Sequence, residues 1–324
     1  MSETGVRRVA IACQGGGSHT AFTAGALKKV LIRKRDEYKI VALSGASGGA
    51  ICALLSWYAL LTDRAARAVE LLDSFWMENS ANSYWDMVLN DLFVESSRLQ
   101  GSVALPEISP YLYPSVARDR LRTMLEDHVD FERLEGLIKP SSPRLLVSAV
   151  DVLTGEFKVF RDAEVSVEAI LASAAVPNLF RAVRIGDGVY WDGLFSQNPP
   201  VREFVTDHPV EKPDEIWIVQ INPERREQEP TSVVDIMDRR NELSGNLSLN
   251  QEIHFIETIN GLLAHLPEDQ YKHIEVRRIE MLRPLDAASK LDRRPSFIQE
   301  MMSYGEEQAE NFLRELPDQD SNLD

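Results

Sequence analysis

Gly45-Ala46-Ser47-Gly48-Gly49 stands between two apolar runs of the 324-residue chain. Residues 38–43 before it read as a buried strand, and residues 50–61 after it read as a helix too apolar for a surface position. A serine at a tight strand-to-helix turn is pushed out of the fold with strained backbone torsions. Glycine on both sides removes the Cβ atoms that would block the turn and an incoming substrate. The hydroxyl also lies at a helix N-terminus, where free N–H groups and the helix dipole favour developing negative charge. The five residues therefore read as a nucleophile elbow. G-x-S-x-G by itself describes many ordinary turns; its position between strand and helix gives it force.

A second glycine cluster lies upstream. Residues 8–13 read as a first strand, Gln14-Gly15-Gly16-Gly17-Ser18-His19 as a loop, and residues 20–35 as a helix. Three glycines at a strand-to-helix junction let backbone N–H groups converge on an anion, either a phosphate or an oxyanion. The phosphate readings lack their further residues. No Gly-Lys-Ser/Thr follows, Thr20 stands where a dinucleotide fingerprint has glycine, and Leu43-Ser44 ends the second strand where that fingerprint has an acid. The oxyanion reading needs only a nearby serine, and the next strand delivers Ser47. The pair points to acyl transfer.

The group that activates the serine is less obvious. None of the six histidines, His19, His128, His208, His254, His265 and His273, follows a strand in a catalytic setting. Tyr190-Trp191-Asp192-Gly193 follows a strand-like 183–185 and an Asp187-Gly188 turn, and it precedes Leu-Phe-Ser-Gln-Asn-Pro-Pro. Asp-Gly is ordinarily a turn signal, so Asp192 alone carries little.

Together the three elements resemble the patatin-like phospholipase family. That family has a glycine-rich oxyanion loop after its first strand, a G-x-S-x-G elbow after its second and a downstream Asp-Gly that completes a Ser–Asp dyad. The matching positions are Gly15-Gly16-Gly17, Gly45 through Gly49, and Asp192-Gly193. Ala172-Ser173-Ala174-Ala175-Val176-Pro177-Asn178-Leu179-Phe180 and Asn198-Pro199-Pro200 also look like the family's blocks, and the resemblance covers roughly residues 6–222. It implies an α/β fold, a three-layer sandwich with a mainly parallel central sheet. It further implies a serine acyl hydrolase of the lipase or phospholipase A type. Ser47 and Asp192 are then the catalytic pair, and backbone amides among Gly15, Gly16, Gly17 and Gly48 form the oxyanion hole. A lipid or acyl ester is the implied substrate, with no metal and no cofactor. The first block departs from the family, which usually has aspartate before the glycines and Arg or Lys, then Gly, after them. Here stand Gln14, His19 and Thr20.

Two alternatives stay open. An α/β-hydrolase would use one of His254, His265 or His273 as base, although its serine usually lies deeper in the chain. A non-catalytic module would use the glycine loop to hold an acyl or phosphate group.

The 51 acidic against 35 basic residues give a net charge of −16, which disfavours nucleic acid and constitutive adhesion to anionic bilayers. Transient contact with a membrane surface and homo-oligomerisation are compatible with the sequence. Cys13 and Cys52 read as buried apolar residues rather than a disulfide. With no signal-like h-region and no run of about 18 apolar residues, a cytoplasmic location is expected.

The organisation predicted is a catalytic domain over 1–222 and a C-terminal extension over 223–324, packed on the same domain. Helices are expected over 63–77, 115–128 and 167–175, a strand pair over 144–151 and 156–161, and a core strand over 215–221. In the extension, 233–266 has helical spacing with a break at Ser244-Gly245-Asn246, 273–282 reads as a strand, and 296–316 as an amphipathic helix. The extension resembles one carried by a subset of bacterial patatin-like proteins. It reads as extra layers on the sheet or as a dimer or membrane-contact face. The aromatic-rich stretch over 76–113 admits a core reading and a reading as a mobile cap over Ser47 centred on 76–93.

Overall fold

The computed structural model describes residues 6–33, 37–62, 65–83, 86–87, 90–91, 94, 109–112, 114–177, 179–207, 212–263 and 272–316. Eight strands form one sheet: β1 (Arg7–Cys13), β2 (Tyr38–Gly45), β3 (Arg144–Asp151), β4 (Phe157–Arg161), β5 (Val183–Ile185), β6 (Gly188–Asp192), β7 (Glu215–Gln220) and β8 (Glu275–Glu280). The order is β5-β6-β3-β2-β1-β7-β8, with β4 also paired to β3. The centre, from β3 through β2, β1 and β7 to β8, is parallel, while β4, β5 and β6 add antiparallel pairs at one side.

The helices among the described residues are α1 (Thr20–Ile32), α2 (Gly48–Leu61), α3 (Ala65–Asn79), α4 (Val116–His128), α5 (Leu134–Leu137), α6 (Val167–Ser173), α7 (Glu203–Thr206), α8 (Val233–Leu263) and α9 (Pro295–Glu315). They cover both faces of the sheet, so successive residues of a central strand are buried in opposite directions. Val9, Ile11 and Cys13 of β1, with Trp217 and Val219 of β7, join a large core with α1, α2, α3 and α9. Ala10 and Ala12, with Ile216 and Ile218, face a smaller core under Leu249, Ile253 and Ile256 of α8. This is the expected three-layer α/β/α sandwich. Helix α9 is locked to α1 by reciprocal close approach: a Cβ on Gly25 would strike the Met302 carbonyl, and one on Gly305 would strike that of Phe22. Cys13 and Cys52 are buried and free. Among the described residues, no helix is long and apolar enough to cross a membrane.

One expectation changes. The break at Ser244-Gly245-Asn246 is absent, and α8 runs unbroken through it. A mid-helix glycine costs about 1 kcal/mol relative to alanine, but here a Cβ on Gly245 would lie 2.7 Å from Asn198 Nδ2, so the glycine is what lets the helix approach. At the start of the aromatic stretch, Phe75 and Trp76 are core: both are buried in α3, packed edge to face at 6.1 Å. Tyr84, Trp85, Phe93 and Tyr113 of that stretch lie outside the described residues, as do Asp63, Asn178, His208 and His265.

Candidate active site

Strand register brings the sequence-distant motifs to one level. Gly45 at the end of β2 pairs with Cys13 of β1 and with Val147 of β3, and two residues further along β3 Ala149 pairs with Asp192 of β6. Ser47, two residues past Gly45, thus emerges level with Asp192 on one side and Gly15 on the other. On the far side of β1, Cys13 pairs with Val219 of β7, which brings Ile221 and Asn222 alongside the glycine loop.

Ser47 has φ 53° and ψ −130°, a conformation that non-glycine residues adopt at a cost of about 1–3 kcal/mol. The surroundings impose it. Its N–H donates to the Ser173 carbonyl (3.1 Å) and to Ser173 Oγ (2.9 Å) at the end of α6, and its carbonyl accepts from Ala50 N at 3.0 Å as α2 begins. Side chains on Gly45 and Gly49 would run into the Ala50 nitrogen and the Cys13 carbonyl, so the elbow closes only with glycine there. Ser47 is partly exposed in an otherwise buried stretch.

Asp192 is fully buried. Its Oδ1 accepts from Leu194 N at 2.8 Å, while Oδ2 has no partner of good hydrogen-bond geometry. Burial pushes the carboxyl up to about 7, against the smaller opposing effects of the Leu194 N–H and the nearby Ser47 hydroxyl. A loose serine–carboxylate contact of this kind is common in sites without substrate. Gly193 keeps the next turn tight on the elbow, since a Cβ there would meet Ser148 Oγ and Ala46.

The four expected oxyanion amides, three in the glycine loop and one in the elbow, divide. The Gly15 N–H, one of the expected donors, is paired in this structure, donating to Asn198 Oδ1 at 2.7 Å. The N–H groups of Gly16, Gly17 and Gly48 donate no hydrogen bond among the described residues. The loop itself is held by side-chain amides. Asn222 Nδ2 donates to the Gly15 carbonyl at 3.1 Å, and Gln14 Oε1 accepts from Ile221 N (3.0 Å) and Asn222 N (2.8 Å).

Where the family carries its cation, His19 is buried and neutral. Its Nε2 lies 2.7 Å from Ser289 Oγ, its ring leans on Phe297, and burial, aided by the Lys290 charge, drives its pKa down to about 3. Lys290 itself pairs with Asp238 at 2.6 Å and Glu242 at 3.4 Å. The loop is therefore braced by neutral groups and by the C-terminal segment. Of the proposed alternative bases, His254 and His273 are exposed, and among the described residues no histidine bonds to Ser47 or Asp192.

Sequence reading missed Gln14, Asn198, Asn222 and Asn246 as structural partners of the loop. Asn198-Pro199-Pro200 was visible as a block, but nothing local indicated that its amide would reach a glycine 183 residues away.

The profile of the patatin-like phospholipase family matches residues 11–205, so the chain belongs to this family of lipid acyl hydrolases. Comparison with curated proteins returned no match. Among solved structures, VipD from Legionella pneumophila is 12% identical with a TM-score of 0.46, the alignment covering 95% of this chain and 67% of VipD. The ExoU–SpcU complex of the Pseudomonas aeruginosa type III secretion system aligns at 15% identity and a TM-score of 0.34, over 95% of this chain and 52% of that one.

Proposed function

We propose that the protein hydrolyses carboxylic esters of lipids through a Ser47–Asp192 dyad and an acyl-enzyme intermediate. The observation that carries this reading is a strained, partly exposed Ser47 beside a buried carboxylate whose Oδ1 accepts from the Leu194 N–H and whose Oδ2 has no well-formed partner among the described residues. Asp192 takes the Ser47 proton as Oγ attacks the ester carbonyl. The oxyanion is held by the amides of Gly16, Gly17 and Gly48, each donor being worth on the order of 10²–10³ in rate. Collapse breaks the ester C–O bond, the alcohol leaves with the proton from Asp192, and the acyl group stays on Ser47. Water then attacks the acyl-enzyme, giving its proton to Asp192, and Ser47 leaves reprotonated with release of the free acid.

Burial fits Asp192 to this task, because a carboxyl near pH 7 accepts a serine proton more readily than an ordinary aspartate does. Residues 1–222 carry the chemistry in this reading, and α8 and α9 of the extension pack on the same sheet. An organophosphonate ester should label Ser47 covalently, and Ser47→Ala should abolish both labelling and hydrolysis of a short p-nitrophenyl ester. Labelling that persists at another serine would overturn the assignment.

A further inference from the structure

Helix α8 lies beyond the family-matched segment, yet its buried side touches both halves of the candidate site. Ser244, Ser248 and Glu252 recur every fourth residue and so share one edge of that side. They meet the turn after Asp192: Ser244 Oγ donates to the Leu194 carbonyl at 3.4 Å and Ser248 Oγ to that of Ser196 at 2.6 Å. Glu252 Oε2 accepts from Val201 N (2.5 Å) and Arg202 N (3.0 Å). Asn246 stands on the opposite edge, with Leu249, Ile253 and Ile256 packed on the sheet between. It meets the glycine loop: Asn246 Oδ1 accepts from Gln14 Nε2 at 2.8 Å, and Asn246 Nδ2 donates to the Pro223 carbonyl at 3.0 Å.

Gln14 is fully buried and every polar group of its side chain is used in fixing the loop between β7 and α8. Its amide plane has one orientation in which Oε1 meets the two N–H donors, and Asn246 is what selects it by accepting from the other end. Gly15 follows directly, packed so closely on the elbow that a Cβ there would sit 2.8 Å from that of Ser47. Gly16 and Gly17 come next in the chain, so a displacement of Gln14 would shift their amides.

We propose that Asn246 is a positioning residue of the acyl-transfer site, acting through Gln14 to hold the oxyanion amides in place beside Ser47. The assignment rests on the hydrolase reading above and adds to it a role for a segment the family profile does not reach. Geometry of this kind affects rate more than substrate affinity, since a displaced donor is felt where the oxyanion develops.

The test compares Asn246→Ala with Asn260→Ala, a control on the same helix whose amide bonds instead to the backbone of Ile274. Asn246→Ala should lower kcat for a p-nitrophenyl ester ten- to a hundredfold with KM changed less than twofold. The midpoint of its pH profile should not move, and amide hydrogen exchange over 14–19 should quicken. Asn260→Ala should lower thermal stability by a comparable amount and leave kcat and that exchange unchanged. Gln14→Asn, too short to span both partners, should repeat the kcat loss without requiring the helix to change. Combined with Asn246→Ala it should cost no more than the larger single loss. The proposal is overturned if folded Asn246→Ala keeps kcat within threefold of the wild type, if the two losses multiply, or if exchange over 14–19 stays slow. An inactive wild type would instead refute the hydrolase reading, and the exchange measurement would still judge the link from Asn246 to the loop.

Discussion

The segment matched by the family profile and the segment after it build the candidate site in different ways. Within 11–205, geometry comes from the backbone: an elbow at φ 53°, glycines pressed against carbonyls, and a carboxylate set by strand register. Beyond it, α8 contributes no reacting group, and its side-chain amides and hydroxyls tie the two loops together across the end of the sheet. The motifs of the candidate site are therefore local and recognisable, while the bonds that hold them together are long-range.

The comparison breaks most sharply on the reactive pair. Ser47→Ala and Asp192→Asn should each lower kcat by at least about 10⁴-fold, with the double variant no worse, because a dyad acts as a unit. A dyad whose members contributed independently would put the chemistry elsewhere.

The next effect is in pH. In the proposed mechanism Asp192 must be a carboxylate, and burial pushes its pKa up to about 7. The value of kcat/KM should rise tenfold per unit up to a midpoint near pH 7 and then level. A midpoint near 4 would mean that Asp192 is not the base or that the site is wet.

Stability should move the opposite way. The folded pKa of Asp192 lies above its ordinary 3.8, so the folded protein binds this proton more tightly and loses stability as pH rises from about 4 to about 7. Asp192→Asn removes that loss. The inactive variant should be more stable than the wild type at pH 8, by up to roughly 4 kcal/mol. The gap should shrink steadily toward pH 4 in denaturant titrations.

The smallest effect is expected at the exposed histidines. His254→Ala and His273→Ala should each keep hydrolysis within about twofold, surface changes being near neutral. A collapse in either assay would restore the histidine-base alternative.

Legibility followed the range of the interactions. The elbow, the glycine loop and the strand pair β3–β4 could be read because spacing and turn residues act over a few positions. Asp192 could be placed only by resemblance to a family, since register across three strands fixes it. The pairing of the Gly15 amide was not legible because its acceptor, Asn198, comes from a loop that no local pattern connects to it. Ser244-Gly245-Asn246 read as a break because glycine and asparagine disfavour helix interiors. Tertiary contacts override that preference there: Gly245 makes room for Asn198, and Asn246 bonds Gln14 from 232 residues away.

The central claim is that Asp192 alone activates Ser47, and its most direct test is the rate of phosphonate labelling at Ser47 as a function of pH. For the wild type the rate should climb with a midpoint near 7, and for Asp192→Asn it should stay flat and at least a hundredfold lower throughout. Labelling of Asp192→Asn at the wild-type rate, with the same pH dependence, would contradict the account.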